Sequence, residues 1–389
     1  MYSLNSELRI VISFFSYLSL FFIKFIGDSL RFDKWLFFDV IILMLFGLLM
    51  IYSSSYIWAD YKFGNPFHYV IYQGAFIVIG ILLMLFLSKI NLSFYYKNAT
   101  KILIIALILL ILVLIPGIGI VRNGSRSWFG IGGFGIQPSE FAKLSLIIFT
   151  SKYLEKSNKF LKNYKEGVFP ILGVLLLVFG LIMLEPDFGT GMILVVSIIA
   201  IMFVAGVDMK FFLILGAVGI VGIIILIMIA PYRMDRITSF LNPWSDPLGT
   251  GFQIIQSLYA IGPGGLLGMG LFNSRQKHFY LPEPQTDFIF SIISEELGVL
   301  GVVIVITLFG ILLYRSIKIS LKQTDYFKKY LCFGLIFQMI IQTILNLSVV
   351  IGLIPVTGVT LPFLSYGGSS LLISSISMGI ILSISKNND

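Results

Sequence analysis

Asp287 stands in the run YLPEPQTDFIFSIISEELG, residues 280–298, where a proline-rich approach meets an apolar, helix-forming stretch. A carboxylate at the edge of hydrocarbon costs free energy unless it has a partner or a task, because water lies only a few residues away. Two roles suit it. It accepts a proton as a general base, or, following Thr286, it caps the positive end of the next helix. Arg275, Lys277, His278 and Glu283 crowd the same approach, which favours chemistry.

Other ionisable residues interrupt apolar sequence elsewhere. Arg126, Trp128, Glu140 and Lys143 lie in RNGSRSWFGIGGFGIQPSEFAK, Glu185 and Asp187 in LEPDFGTG, and Arg233 and Arg236 early in a long connection. Glu140 and Lys143, three residues apart on one helix, make either a local ion pair or the support of a polar cavity. Glu185 and Asp187 flank Pro186 and either cap the following helix or contact a ligand. Arg126 and Trp128 are either interface anchors or ligand contacts. Glu295 and Glu296, about two turns past Asp287, read as structural pairing. Gln338, Gln342 and Asn346 recur every four residues, a stripe that reads as helix–helix glue.

The elements that position these residues follow from composition. The 389 residues are 58% hydrophobic and 12% charged, with a mean hydropathy of +0.98, against roughly 25% charged in soluble domains. The pattern predicts an all-α, polytopic membrane helical bundle of about ten spans, starting near Asp39, Pro66, Lys101, Pro138, Val168, Phe188, Phe211, Asp287, Tyr330 and Ser365. An orientation with both ends of this unit (residues 39–389) in the cytoplasm puts eighteen basic residues inside and seven outside, as the positive-inside rule requires. The net charge of +8 is thereby topological, and nucleic acid is not implied. Residues 1–38 form a separate segment in which Ile10 to Ile26 is an interfacial helix or an extra span. Cys332 is the only cysteine, and with His68 and His278 the only histidines, an intrachain disulfide and a multi-histidine metal site are excluded.

Counting spans places every suspect block on the extracytoplasmic side. The connection Pro231 to Thr286, between spans seven and eight, is unusually long. Its segment PWSDPLGTGFQIIQSLYAIGPGGLLGMGL reads as a short amphipathic helix, with Phe252, Ile255 and Leu258 on one side, or as a re-entrant element.

GFQIIQSLYAIGPGG, SRQKHFYLPEPQTDFIFSIISEELG and LPFLSYGGSS resemble signature blocks of the shape, elongation, division and sporulation (SEDS) proteins, and the two blocks around Arg126 and Glu185 fit the same pattern. The likeness runs collinearly from about Asp39 to the end and is nearer the division and sporulation branch (FtsW and SpoVE) than the elongation branch (RodA). The resemblance implies a peptidoglycan glycosyltransferase that polymerises lipid II in the bacterial cytoplasmic membrane, with a class B penicillin-binding protein as partner in a divisome or related cell-wall complex. It maps the family's essential aspartate onto Asp287, its Glu and Lys onto Glu140 and Lys143, and its loop arginine onto Arg126. Ser127 stands where many members carry a second basic residue.

Such a transfer deprotonates an acceptor hydroxyl, attacks the anomeric carbon and expels a lipid pyrophosphate. Attack from the opposite face inverts that centre and needs one base, for which Asp287 is suited. The pyrophosphate needs positive charge, from Arg126, Lys143, Arg233, Arg236, Arg275 or Lys277, with or without a divalent cation (Mg or Mn) held by carboxylates. The competing expectations are a lipid II flippase and a non-catalytic scaffold for a transpeptidase.

Overall fold

A computed structural model describes residues 32–122, 124–131, 134–157, 163–229 and 231–386. The segment Ile10 to Ile26, together with Lys159 and Lys162, lies outside the described residues. Among the described residues, ten helices stand where the ten spans are expected: α1 (Lys34–Phe63), α2 (His68–Leu87), α3 (Leu92–Leu114), α4 (Pro138–Lys156), α5 (Phe169–Leu184), α6 (Phe188–Ala205), α7 (Met209–Ile229), α10 (Ile289–Leu321), α11 (Tyr326–Val350) and α12 (Gly368–Ser385). The long connection contributes α8 (Pro231–Leu241) and α9 (Phe252–Ile261). On α9 the buried face is Ile254, Ile255, Ser257 and Ala260, so the stripe expected at Phe252, Ile255 and Leu258 is rotated, with Leu258 exposed.

Seven of these helices are long and apolar enough to cross a bilayer, and α5 and α7 are shorter apolar helices. The exception is α4, which carries Glu140, Lys143, Lys152, Glu155 and Lys156. It packs against α3, α5, α6, α11 and α12. A polar helix is tolerated there because protein, rather than lipid, surrounds it and answers its polar groups.

One departure from the all-helical expectation is a small antiparallel sheet in the order β1 (Ile120–Arg122), β2 (Ser125–Ile131), β3 (Phe134–Ile136). It lies between α3 and α4, pairing Val121 with Arg126 and Phe129 with Ile136.

A second departure is a break inside α10. Gly298 has φ 61° and ψ −151°, a backbone that residues with a Cβ avoid. The Gly-rich loop after α9 fits into the break. Met269 and Gly270 N–H donate to the carbonyls of Glu295 (2.9 Å) and Glu296 (3.0 Å), while Val299 and Leu300 N–H donate to Gly265 (3.0 Å) and Leu266 (3.2 Å). The short-helix reading is realised as α9, and the loop after it completes a discontinuous helix, satisfying backbone groups the break exposes. A Cβ on Gly298 would lie 2.4 Å from Gly268 N and 2.7 Å from Gly264 O. Gly298→Ala is expected to combine about 1–3 kcal/mol of backbone strain with this overlap, lowering the melting temperature of detergent-solubilised protein. An unchanged melting temperature would contradict the assignment.

Side chains clamp the same loop to α1 and α10. Glu296 accepts from Lys277 Nζ (2.9 Å), Ser53 Oγ (2.6 and 2.7 Å), Phe272 N–H (3.0 Å) and Ser274 N–H (3.1 Å). Glu295 accepts from Ser274 Oγ (2.5 Å) and Arg275 N–H (2.8 Å). Both carboxylates are structural, as their depth in the helix suggests. At the opposite end of the bundle Asp33 caps α1 through Leu36 N–H (3.0 Å) and pairs with Arg315 (2.6 Å) on α10.

Candidate functional site

Four connections converge at the end of the bundle opposite the Asp33–Arg315 pair: the sheet before α4, the α5–α6 link, the approach to α10, and the segment between α11 and α12. Gln137, just before α4, donates its Nε2 to Asp187 Oδ2 (2.9 Å) and its N–H to Ser369 Oγ (3.0 Å). Ser369 Oγ donates to Gly135 O (2.8 Å), and Tyr366 N–H donates to Gln285 O (2.8 Å).

Asp287 occupies the turn before α10 and is partly exposed. The helix has Phe288 at its N-cap and no side-chain capping bond, so the capping role read for Asp287 is not adopted. Its peptide oxygen accepts from Asn346 Nδ2 at 2.7 Å, and the same nitrogen donates to Val359 O at 2.7 Å. Gly358, at φ 74°, follows the turn of this segment past the carboxylate; a Cβ there would lie 3.7 Å from Asp287 Oδ2. Arg236 Nη1 donates to Val356 O at 2.9 Å, bringing a guanidinium to the same segment.

Burial and the negative charge of Glu283 push the Asp287 carboxyl up to about 6, with Asp187 adding to the rise and Arg236 opposing it. A base with a pKa nearer the working pH takes a proton more readily than an ordinary carboxylate while staying largely ionised at neutral pH. The rate is therefore expected to fall as pH drops through about 6, and Glu283→Gln is expected to move that acid limb lower. Initial rates between about pH 5 and 8 measure it; a limb near the ordinary aspartate value of about 3.9 would contradict the environment described.

The Glu140–Lys143 pair is linked through Gln342 to the segment that passes Asp287. Lys143 Nζ is 2.8 Å from Glu140 Oε1 and 3.0 Å from Gln342 Oε1, with Lys143 only 1% exposed. The reading as an intrahelical ion pair is what the structure shows, with Gln342 as a further partner of Lys143. Gln342 in turn donates to Thr360 O (3.0 Å) and Ser370 Oγ (3.4 Å). Asp187 caps α6 through Thr190 N–H (3.1 Å), as one of its sequence readings has it. Burial raises its pKa, opposed by the Thr190 hydrogen bonds and the charge of Lys143. Glu185 does not cap. It is fully buried, and neither carboxyl oxygen has a hydrogen-bond partner among the described residues. Burial first, and the charge of Asp187 second, push it up to about 9, so it is a neutral acid at pH 7. Ser125 Oγ donates to its main-chain oxygen, seating β2 over this link.

The candidate cations divide. Arg236 reaches the segment that passes Asp287, and Lys143 is linked to it through Gln342. Arg126 is half-buried on β2 with Nη1 3.4 Å from Leu114 O, and Trp128 is half-buried on the same strand. Arg275 is exposed on the clamped loop. The side chain of Arg233 lies outside the described part. Lys277 is a correction: its side chain is fully buried against Glu296, beside the Tyr56 ring at 5.0 Å, and is unavailable to a pyrophosphate. Burial lowers its pKa, and the charge of Glu296 opposes that shift. Among the described residues no three His, Cys, Asp or Glu side chains gather as a metal-binding set.

Sequence reasoning passed over Gln137, Gly358 and Val359, and took Gln342 and Asn346 for glue. The signal available was the burial of amide side chains in apolar helices, where each needs a polar partner.

Comparison with known proteins places this geometry among relatives. The family model described as "Cell cycle protein", FTSW_RODA_SPOVE, matches residues 34–389. Stage V sporulation protein E of Bacillus subtilis (strain 168) is 50% identical over 346 residues, 89% of this chain and 94% of the relative. A probable peptidoglycan glycosyltransferase FtsW of Trichlorobacter lovleyi is 41% identical over 355 residues, 91% of this chain and 93% of the relative. Among solved structures, a chain from work on the structural coordination of polymerization and crosslinking by a peptidoglycan synthase complex superposes with a TM-score of 0.75 at 31% identity, covering 92% of this chain and 98% of the other. The rod shape determining protein RodA of Thermus thermophilus gives 0.69 at 27% identity, covering 93% and 99%.

Proposed function

The chain belongs to the FtsW, RodA and SpoVE family of cell cycle proteins, and on that premise we propose that it is a peptidoglycan glycosyltransferase of the multi-pass membrane class, with Asp287 as its general base. It joins lipid II into glycan strands in the service of cell division or sporulation. The observation that carries the role of Asp287 is a partly exposed carboxylate, raised toward neutral pH, with the charge of Arg236 acting on it and Asn346 holding its peptide oxygen.

The reaction balances on one base. Asp287 takes the proton of the acceptor hydroxyl as its oxygen bonds to the anomeric carbon of the donor. The bond from that carbon to the pyrophosphate oxygen breaks, and the pyrophosphate leaves with the electron pair. Attack and departure on opposite faces invert the centre. Arg236, with Arg126 and Arg275 on neighbouring loops, supplies charge for the leaving group. The isoprenoid tails stay in the bilayer, which is why a bundle of helices carries its chemistry at one end.

That end is extracytoplasmic, a reading supported by the excess of Lys and Arg on the loops at the other end. A class B penicillin-binding protein is the partner expected, supported by the likeness to a chain of a complex that coordinates polymerization with crosslinking. A flippase reading would need a polar path opening at the opposite end, where the Asp33–Arg315 pair ties α1 to α10.

The test supplies purified wild-type protein, alone and with its partner, with lipid II, and resolves the product on a gel. Glycan strands are expected. Translocation of lipid II in proteoliposomes without any polymer would overturn the assignment in favour of a flippase.

A further inference from the structure

The segment 356–360 between α11 and α12 has no regular secondary structure, yet three of its carbonyls are held by side chains. Arg236 holds Val356 O (2.9 Å), Asn346 holds Val359 O (2.7 Å) and Gln342 holds Thr360 O (3.0 Å). Asn346 is 1% exposed, and its Nδ2 also holds the peptide oxygen of Asp287. A residue that merely glues helices would bond to another helix. Asn346 instead spends its amide nitrogen on two carbonyls, neither of them within a helix.

The orientation of that amide is fixed by chemistry. A flipped side chain would set its oxygen against two carbonyl oxygens, with no proton between them. The observed orientation leaves Asn346 Oδ1 buried and without a partner among the described residues. An unanswered buried carbonyl oxygen is costly, so the position keeps this amide for its two donor bonds.

We propose that Asn346 is a positioning residue for Asp287: by clasping the Asp287 peptide oxygen and Val359 O together, it fixes the carboxylate against the Gly358 turn and toward Arg236. Gln342, one turn earlier, carries the same restraint down to Lys143 and Glu140, so the ion pair on α4 and the base on the approach to α10 are registered to one helix. The inference rests on the reading of Asp287 as general base and names what aims it.

Full-length Asn346→Ala, assayed with lipid II, is expected to lower kcat roughly 10- to 100-fold, the scale of an ångström-level misplacement of a reacting group, with KM changed much less. The acid limb of the residual activity is expected to move below that of the wild type, because a carboxylate released from its recess regains water. Gln338→Ala, two turns away on the same stripe, is the control and keeps both kcat and the limb. Should Asn346→Ala fail to fold, Asn346→Leu, of similar size and without a donor nitrogen, carries the test with the same expectation. A folded variant with wild-type kcat and an unmoved limb, or a Gln338→Ala loss equal to that at Asn346, would overturn the proposal. Full activity of Asp287→Asn would instead remove the base on which it rests.

Discussion

Lys143→Met is expected to destabilise the protein by about 3–5 kcal/mol, the usual result of removing one partner from a buried pair and stranding the other. Lys143 lies 2.8 Å from Glu140 in a helix that protein surrounds on most sides. Without the ammonium, Glu140 must ionise unpaired or take up a proton, and Gln342 Oε1 loses the donor 3.0 Å away. The double variant Glu140→Gln/Lys143→Met removes both charges and is expected to recover much of the stability, because a buried pair and its neutral replacement are often nearly equivalent. Activity is expected to stay lost in both, since neither restores the positive charge that acts on Asp187. Thermal unfolding in detergent, read beside glycan synthesis, separates the two effects. A single variant that melts like the wild type would show that the pair carries no structural load.

The ten helices were legible because bilayer thickness imposes a length and hydrocarbon a composition. The polarity of α4 was legible too, through the spacing of Glu140 and Lys143. The sheet over residues 120–136 was not, since its strands are short and glycine-rich and carry no sustained alternation. Gly298 marks the end of a conspicuous run, but nothing local says that a loop some thirty residues earlier supplies its missing hydrogen bonds.

The site divides along the same line. Asp287 stood out by its type and context alone. Whether it caps a helix depended on the turn it adopts, and there Asp187 took the capping role while Asp287 did not. Lys277 sits ten residues from Asp287 and was read as a neighbour in function; its side chain runs inward to Glu296, nineteen residues on, a direction that chain distance does not reveal. Asn346 is 59 residues from the oxygen it holds. Such long-range clasps are set by packing among helices and become visible only in three dimensions.

Asp287→Asn is expected to cost about 10²- to 10⁴-fold in rate, the range supplied by a positioned general base, while leaving the fold intact. Asparagine matches the shape of the side chain and has no carboxylate to take the proton. Because burial and Glu283 disfavour the charge of Asp287, neutralising it should leave the melting temperature equal to or above that of the wild type. That combination, a stable protein with little activity, separates a base from a capping or packing residue, whose loss would show first in stability. The deciding measurement gives purified wild type and Asp287→Asn the same lipid II, with the partner present, and compares glycan on one gel at matched folded protein. Long strands from the wild type and none from the variant are expected, and full-length strands from a normally folded Asp287→Asn protein would contradict the role assigned to Asp287.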